Sequence, residues 1–222
     1  ANCKPGEISL AHNGVLFLDE MPEYSRKTLE TLRQPLEDGT VVISRAKMTL
    51  EYPCHFMLVA SMNPCPCGNF GSSNPCKCSP NEIHRYVNKL SGPLLDRIDL
   101  QVEVDSVSYD DLRSKVKAEP SAVIKQRVEA AREIQRERFK GTKIFTNSEM
   151  TNAMLEEFCV ISKQSEQLME LAFDKLRLSG RANARILKVA RTIADLDGEK
   201  NIEPRHIAEA IQYRSLDRKY WE

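Results

Sequence analysis

Hydrophobic residues in the first half of this chain come in short, unbroken runs. GVLFLDE (residues 14–20) sets four apolar residues before two acids, and HFMLVASMN (residues 55–63) runs into a polar tip. Runs this short and without alternation predict strands buried on both faces of a parallel sheet. RIDLQVEV (residues 97–104), which alternates in part, predicts a third strand. Between the first two, a helix is expected over residues 26–34 with Ser25 as its N-cap. In DGTVVISRAKMTLEY the apolar positions Val41, Ile43, Met48 and Leu50 flank a polar turn, which predicts a β-hairpin carrying Arg45 and Lys47 at its tip. Ser79, Pro80 and Glu82 supply a cap, a first-turn proline and a capping-box acid, so a helix is expected over residues 80–90.

Beyond residue 120 the period becomes helical. A long basic helix is expected over residues 122–140, and Thr146 with Glu149 caps a short one reaching residue 158. Further helices are expected over residues 163–178 and 182–196, the latter burying Ile186, Leu187, Ala190, Ile193 and Ala194. Pro204 opens a last helix carrying Ile207, Ala208 and Ile211. The polar link DSVSYDDLRSKVKAEPS, with Pro120, separates the two patterns as a domain boundary would. The expected architecture is an α/β part over residues 1–115 and an all-α part over residues 121–222.

Composition narrows the class. Lys plus Arg and Asp plus Glu each number 32, so the net charge is zero and a generic polycation that coats nucleic acid is excluded, though not a local basic patch. A charged fraction of 29% beside 41% hydrophobic residues fits a folded chain. No apolar run approaches the ~18 residues of a membrane span. No secretion signal is seen, so a cytoplasmic location is expected. Seven cysteines without such a signal do not read as a disulfide framework. Four of them, Cys65, Cys67, Cys76 and Cys78, fall in one short loop. Four thiolates there can hold Zn²⁺ tetrahedrally; the one-residue spacing inside each pair is tighter than the usual two to four, and reduced thiols are the plainer reading.

Asp19 and Glu20 end the first strand at its C-terminal edge, where α/β proteins bind ligands. One acid suits Mg²⁺ and the next suits an attacking water, the Walker-B arrangement of nucleotide hydrolases. Asn63 ends the second strand, Arg97 opens the third, and Arg181 and Arg185 begin a later helix. For Arg97 the plainer reading is an ion pair with Asp96 or Asp99. For Arg181, Arg185 and Lys188 it is a solvated basic face. For the hairpin it is an ordinary surface feature.

Several segments together, PGEISLAHNGVLFLDEMPEY, LRQPLEDGTVVISRA, MNPCPCG, CKCS, LSGPLLDRIDL and RILKVARTIADLDG, resemble the C-terminal portion of an AAA+ ATPase. The resemblance is to the magnesium-chelatase-like branch typified by the YifB/ComM competence proteins, and it spans most of the chain. It implies a partial P-loop-type α/β core followed by an α-helical lid. It implies Asp19 as the Mg²⁺ acid, Glu20 as the catalytic acid, Asn63 as sensor 1 and Arg97 as an arginine finger reaching a neighbouring subunit's nucleotide. Arg181 would be sensor 2, with Arg185 the second choice. Arg45 and Lys47 would face DNA phosphates in a pore. The implied cofactors are ATP and Mg²⁺, and the implied partners are DNA and further copies in a ring of six, with no membrane.

The chain departs from the pattern in one respect: it contains no GxxxxGK[ST]. It is therefore expected to be the C-terminal part of a longer protein and to be inactive alone. The third strand is expected to lack a partner, leaving residues 1–105 loose or paired with another copy. The alternatives are a chelatase-type motor that remodels a protein partner, and a non-catalytic assembly module.

Overall fold

The computed structural model describes residues 4–45, 48–72, 74–104, 113, 118–176 and 178–214. These divide into two units, one ending at Ile98 and the other starting at Asp99.

In the first unit the elements follow the order α1 (Glu7–Leu10), β1 (Val15–Leu18), α2 (Arg26–Glu30), α3 (Arg33–Asp38), β2 (Thr40–Arg45), β3 (Met48–Pro53), β4 (Met57–Ala60), α4 (Pro80–Val87) and α5 (Gly92–Leu95). β1 and β4 pair in parallel, from Val15↔Met57 to Leu18↔Ala60. β2 and β3 form the expected antiparallel hairpin, from Thr40↔Pro53 to Arg45↔Met48. Lys47 lies outside the described residues.

One face of the parallel pair packs inward. Leu16 and Leu18 join a core of Met21, Leu29, Leu32, Leu90, Leu94 and Leu95. The other face is bare: Val15 and Phe17 are each 58% exposed and Met57 is 62% exposed. The expectation of strands buried on both faces is therefore corrected. The expected third strand is also absent: residues 97–104 form no ladder, with Leu100, Val102 and Val104 exposed. An alternating sequence becomes a strand only beside a partner strand; among the described residues the segment has one backbone hydrogen bond, Gln101 N–H to the Tyr213 carbonyl at 2.9 Å, and no strand beside it.

The expected helix over residues 26–34 is two. Ser25 caps α2, accepting from the Thr28 N–H at 3.1 Å. The chain then breaks at Thr31–Leu32 because Pro35, one turn on, has no N–H for the Thr31 carbonyl. Gly39 closes α3 at φ +66°, with the His55 ring so close that any Cβ would collide with it. The Ser79–Glu82 capping box of α4 is present, with Glu82 accepting from the Ser79 N–H at 2.8 Å.

The second unit is helical: α6 (Ser121–Arg138), α7 (Asn152–Phe158), α8 (Lys163–Leu176), α9 (Gly180–Leu196) and α10 (Pro204–Gln212). A parallel bridge, Ile161↔Ile202, ties the lead-in to α8 to the lead-in to α10. Ile186, Ala190 and Ala194 of α9 sit at the centre of the core with Phe139, Met150, Leu155, Met169, Ile202 and Ile207. The Thr146–Glu149 box caps a single 3₁₀ turn, and Thr151 caps α7 anew.

α6 is salt-bridged along its exposed face, through Arg127–Glu119 at 3.0 Å and Arg136–Glu129 at 3.5 Å. Arg138 turns inward instead. With Arg191 (Nε at 3.1 Å) and Asn147 (Nδ2 at 2.8 Å) it surrounds the fully buried Asp195. Such a charge is tolerated only while its partners remain. Asp195→Ala leaves two buried guanidiniums uncompensated and should destabilise the chain by about 3–5 kcal/mol. Glu133→Ala on the solvated face should cost within about 0.5 kcal/mol. Urea midpoints of the two variants check the difference.

Candidate functional site

The parallel register brings two strand ends together. One residue past the Leu18↔Ala60 pair, Asp19 and Ser61 come side by side. Ser61 Oγ donates to Asp19 Oδ1, and the Glu20 N–H lies 3.1 Å from both Asp19 Oδ1 and Ser61 Oγ. The ladder continues through Ser61 N–H to the Leu18 carbonyl at 3.0 Å and Met21 N–H to the Ser61 carbonyl at 2.8 Å. Both contacts to Asp19 fall on Oδ1, and its exposed carboxylate is a hard oxygen donor, the kind Mg²⁺ takes.

Glu20 stands in the left-handed region, at φ 48° and ψ 52°. A non-glycine residue there is uncommon and costs roughly 1–3 kcal/mol unless its surroundings hold it. Here the Ser61 knot holds the backbone, and the turn leaves both carboxylates exposed at the strand's C-terminal edge.

Asn63 follows Ser61 by two residues and is exposed. Its N–H donates to the Tyr86 hydroxyl on α4. Burial pushes the Tyr86 phenol above its ordinary value, and the nearby Glu23 and Glu20 charges act in the same direction. Arg97 is buried, donating to Glu37 Oε2 and, at 2.6 Å, to the Pro93 carbonyl. Its buried Nε has no hydrogen-bond partner among the described residues. The ion pair is thus with Glu37, sixty residues away in sequence, while Asp99 pairs with Arg185.

In the second unit Arg181 is exposed on the first turn of α9, Arg185 pairs with Asp99, and Lys188 donates to the Ser148 carbonyl at 2.8 Å. Burial, then the neighbouring Arg185, lowers the Lys188 pKa. Of the three residues on this face, Arg181 lies in the first turn of the helix and Arg185 and Lys188 further along it. Arg45 contributes its backbone to the hairpin.

The four loop cysteines converge. All four Sγ atoms lie within 4.8 Å of one another, with Cys65–Cys67 at 3.4 Å, Cys67–Cys76 at 3.6 Å and Cys65–Cys76 at 3.7 Å. Tetrahedral Zn²⁺ with bonds of about 2.3 Å sets its sulfurs about 3.8 Å apart, so the cluster fits that ion. Backbone N–H groups point at the sulfurs, including Phe70 N–H to Cys65 Sγ at 3.4 Å. Hydrogen bonds from the backbone of Asn69 and Lys77, then from the Cys78 and Cys65 thiols, bring Cys67 down to about 6. Desolvation, then the Cys67 thiol, pushes Cys78 up to about 12. The CxC spacing does not prevent convergence because Gly68, at φ +78°, folds the chain back with its N–H on the Cys65 carbonyl at 3.0 Å.

Sequence reasoning missed Ser61, Tyr86 and Glu37. Ser61 had a signal, a hydroxyl one residue beyond a buried run whose neighbour ends in Asp. The other two are tertiary neighbours with no local mark.

Comparison with known proteins places the chain in a family. Residues 1–112 match the family model of magnesium chelatase, subunit ChlI, and residues 118–214 match that of its C-terminal part. The competence protein ComM of Haemophilus influenzae is 48% identical over 97% of this chain and 42% of its own length. The uncharacterized protein YifB of Escherichia coli is 46% identical over 96% of this chain and 42% of its own. The magnesium-chelatase subunit ChlI of Mesostigma viride is 25% identical over 94% of this chain and 51% of its own. The chain thus spans less than half the length of ComM and YifB. It belongs to the magnesium chelatase ChlI-type family, on the branch that ComM and YifB typify.

Proposed function

We propose that this chain is the C-terminal portion of a Mg²⁺-dependent AAA+ ATPase that couples hydrolysis to DNA remodelling, working as a ring of copies. The observation that carries the reading is the Asp19–Glu20 pair knotted to Ser61 at adjacent ends of two parallel strands, with Asn63 two residues on.

Each role follows from chemistry. Asp19 offers an exposed carboxylate to the Mg²⁺ that would offset phosphate charge. Glu20 orients an attacking water and takes up its proton. Asn63 donates a side-chain hydrogen bond to a phosphate oxygen. Arg97, held by Glu37, exchanges that carboxylate for a phosphate oxygen of a neighbouring subunit; its unpartnered Nε is one more donor available to that exchange. Arg181, with Arg185 in support, serves the nucleotide from the helical lid. Arg45 and Lys47 contact DNA phosphates from the hairpin. Cys65, Cys67, Cys76 and Cys78 hold one structural Zn²⁺, whose four sulfurs leave no position open for catalysis. Lacking a phosphate-cradling GxxxxGK[ST], these 222 residues alone do not turn over ATP.

DNA is favoured as substrate because the chain is 48% identical to a competence protein. The 25% likeness to a magnesium-chelatase subunit favours a second reading, a motor acting on a protein partner.

The full-length protein containing this chain should show ATPase activity stimulated by branched DNA, with DNA binding that weakens steeply with salt. Glu20→Gln should lower kcat by about 10²–10⁴-fold with ATP still bound, and Arg97→Ala by about 10³-fold or more. Steady-state kinetics with and without DNA check all three. Indifference to DNA favours the protein-remodelling reading, and indifference to both substitutions removes the site assignment.

Thiol chemistry gives a second outcome. After metal is chelated away, alkylation at pH 7 should label Cys67 first, its rate rising through about pH 6. Cys159, which burial pushes up to about 11, should stay unlabelled. Mass spectrometry of digests reads both, and zinc should protect the whole cluster.

A further inference from the structure

The thiol cluster lies on the same short path as the strand end that carries Asn63. Cys65 is two residues beyond Asn63 and three beyond Met62, which packs against the first unit's core. Cys78 immediately precedes Ser79, the N-cap of α4. Residues 64–78 contain almost no apolar material; Phe70 is exposed, and Cys65 is the one buried residue among those described in the segment. Sulfur ligation is therefore the main force available to fold this loop. The far end of the path returns to the site, because Tyr86 of α4 accepts the Asn63 N–H, and the charge of Glu20 is felt at the Tyr86 phenol. Gly68 of the loop closes the circuit: a Cβ there would lie 3.9 Å from Asn63 Oδ1.

We infer that the metal held by Cys65, Cys67, Cys76 and Cys78 is a positioning element of the nucleotide site, fixing Asn63 beside Glu20 by clamping both ends of the loop that joins β4 to α4. This rests on the zinc and Walker-B readings given above. Asn63 is anchored twice, by Cys65 through the chain and by Tyr86 through a hydrogen bond, and both anchors depend on the clamp. Metal loss frees the loop, lets α4 fray from its capped end and releases the Asn63 amide. The parallel pair itself is held by its own ladder and core and stays formed. Zinc occupancy then acts on hydrolysis without touching nucleotide.

The test needs no turnover. Metal content and hydrogen exchange are measured on the chain as isolated, after stripping with a mercurial reagent and chelator, and after zinc is restored. The expected result is one zinc per chain, lost in Cys76→Ser. Stripping should speed exchange across residues 61–66 and 80–87 by about tenfold or more, leave the β2–β3 hairpin and α9 unchanged, and be reversed by zinc. Tyr86→Phe should speed exchange at Asn63 with zinc content intact. Four freely titrating thiols and no metal would remove the zinc reading and the inference with it. Stoichiometric zinc whose removal leaves residues 61–64 unchanged would overturn the inference alone. Uniform loosening of the whole first unit would also overturn it, since the metal would then hold the fold rather than the site.

Discussion

Everything in the first unit hangs on the parallel register between β1 and β4. Leu18 opposite Ala60 sets Asp19 beside Ser61 one step later. A one-residue slip would reverse every side chain in the strand, sending Leu16 and Leu18 to the bare face and Asp19 away from its knot. Two parallel strands are a weak unit alone. What fixes this pair is the inward Leu16 and Leu18 on one side and the Ser61 bridge at the end. The bridge also holds Glu20 in its left-handed turn, so the same hydroxyl serves register, strain and site. The opposite face, with Val15, Phe17 and Met57 exposed, lacks the cover that a wider sheet layer would provide.

The second unit solves a different problem. Its helices bury an aspartate, and three polar side chains with fixed geometry satisfy it. Arg191 extends the network to the Glu199 and Lys200 carbonyls at 2.6 and 2.8 Å, tying the end of α9 to the turn before α10.

Much of this was legible in the sequence, and the reasons differ by element. The helices of the second unit were readable because amphipathic period, caps and Pro204 all agree. The hairpin and the Ser79 cap were readable because turn chemistry is local. The third strand was not: alternation in residues 97–104 describes a preference, and a ladder requires a partner that the described residues do not supply. The two-sided burial of β1 failed for the same reason. The helix break at Thr31 could be read only by asking which carbonyl Pro35 leaves unpaired. For the site, Asp19, Glu20 and Asn63 were marked by their places at strand ends. The convergence of four thiols was suggested by composition although the spacing was unusual, because the Gly68 turn that achieves it is a backbone feature. Glu37 and Tyr86 are neighbours made by folding alone.

The central claim is that Asp19, Glu20, Ser61 and Asn63 surround one metal–nucleotide centre. Mn²⁺ replacing Mg²⁺ with ATP on the full-length protein tests it most directly, through paramagnetic broadening of backbone resonances. Strong broadening confined to residues 18–20 and 61–63, removed by excess Mg²⁺, is the predicted result. Tightly bound Mn²⁺·ATP that leaves those resonances sharp would contradict it.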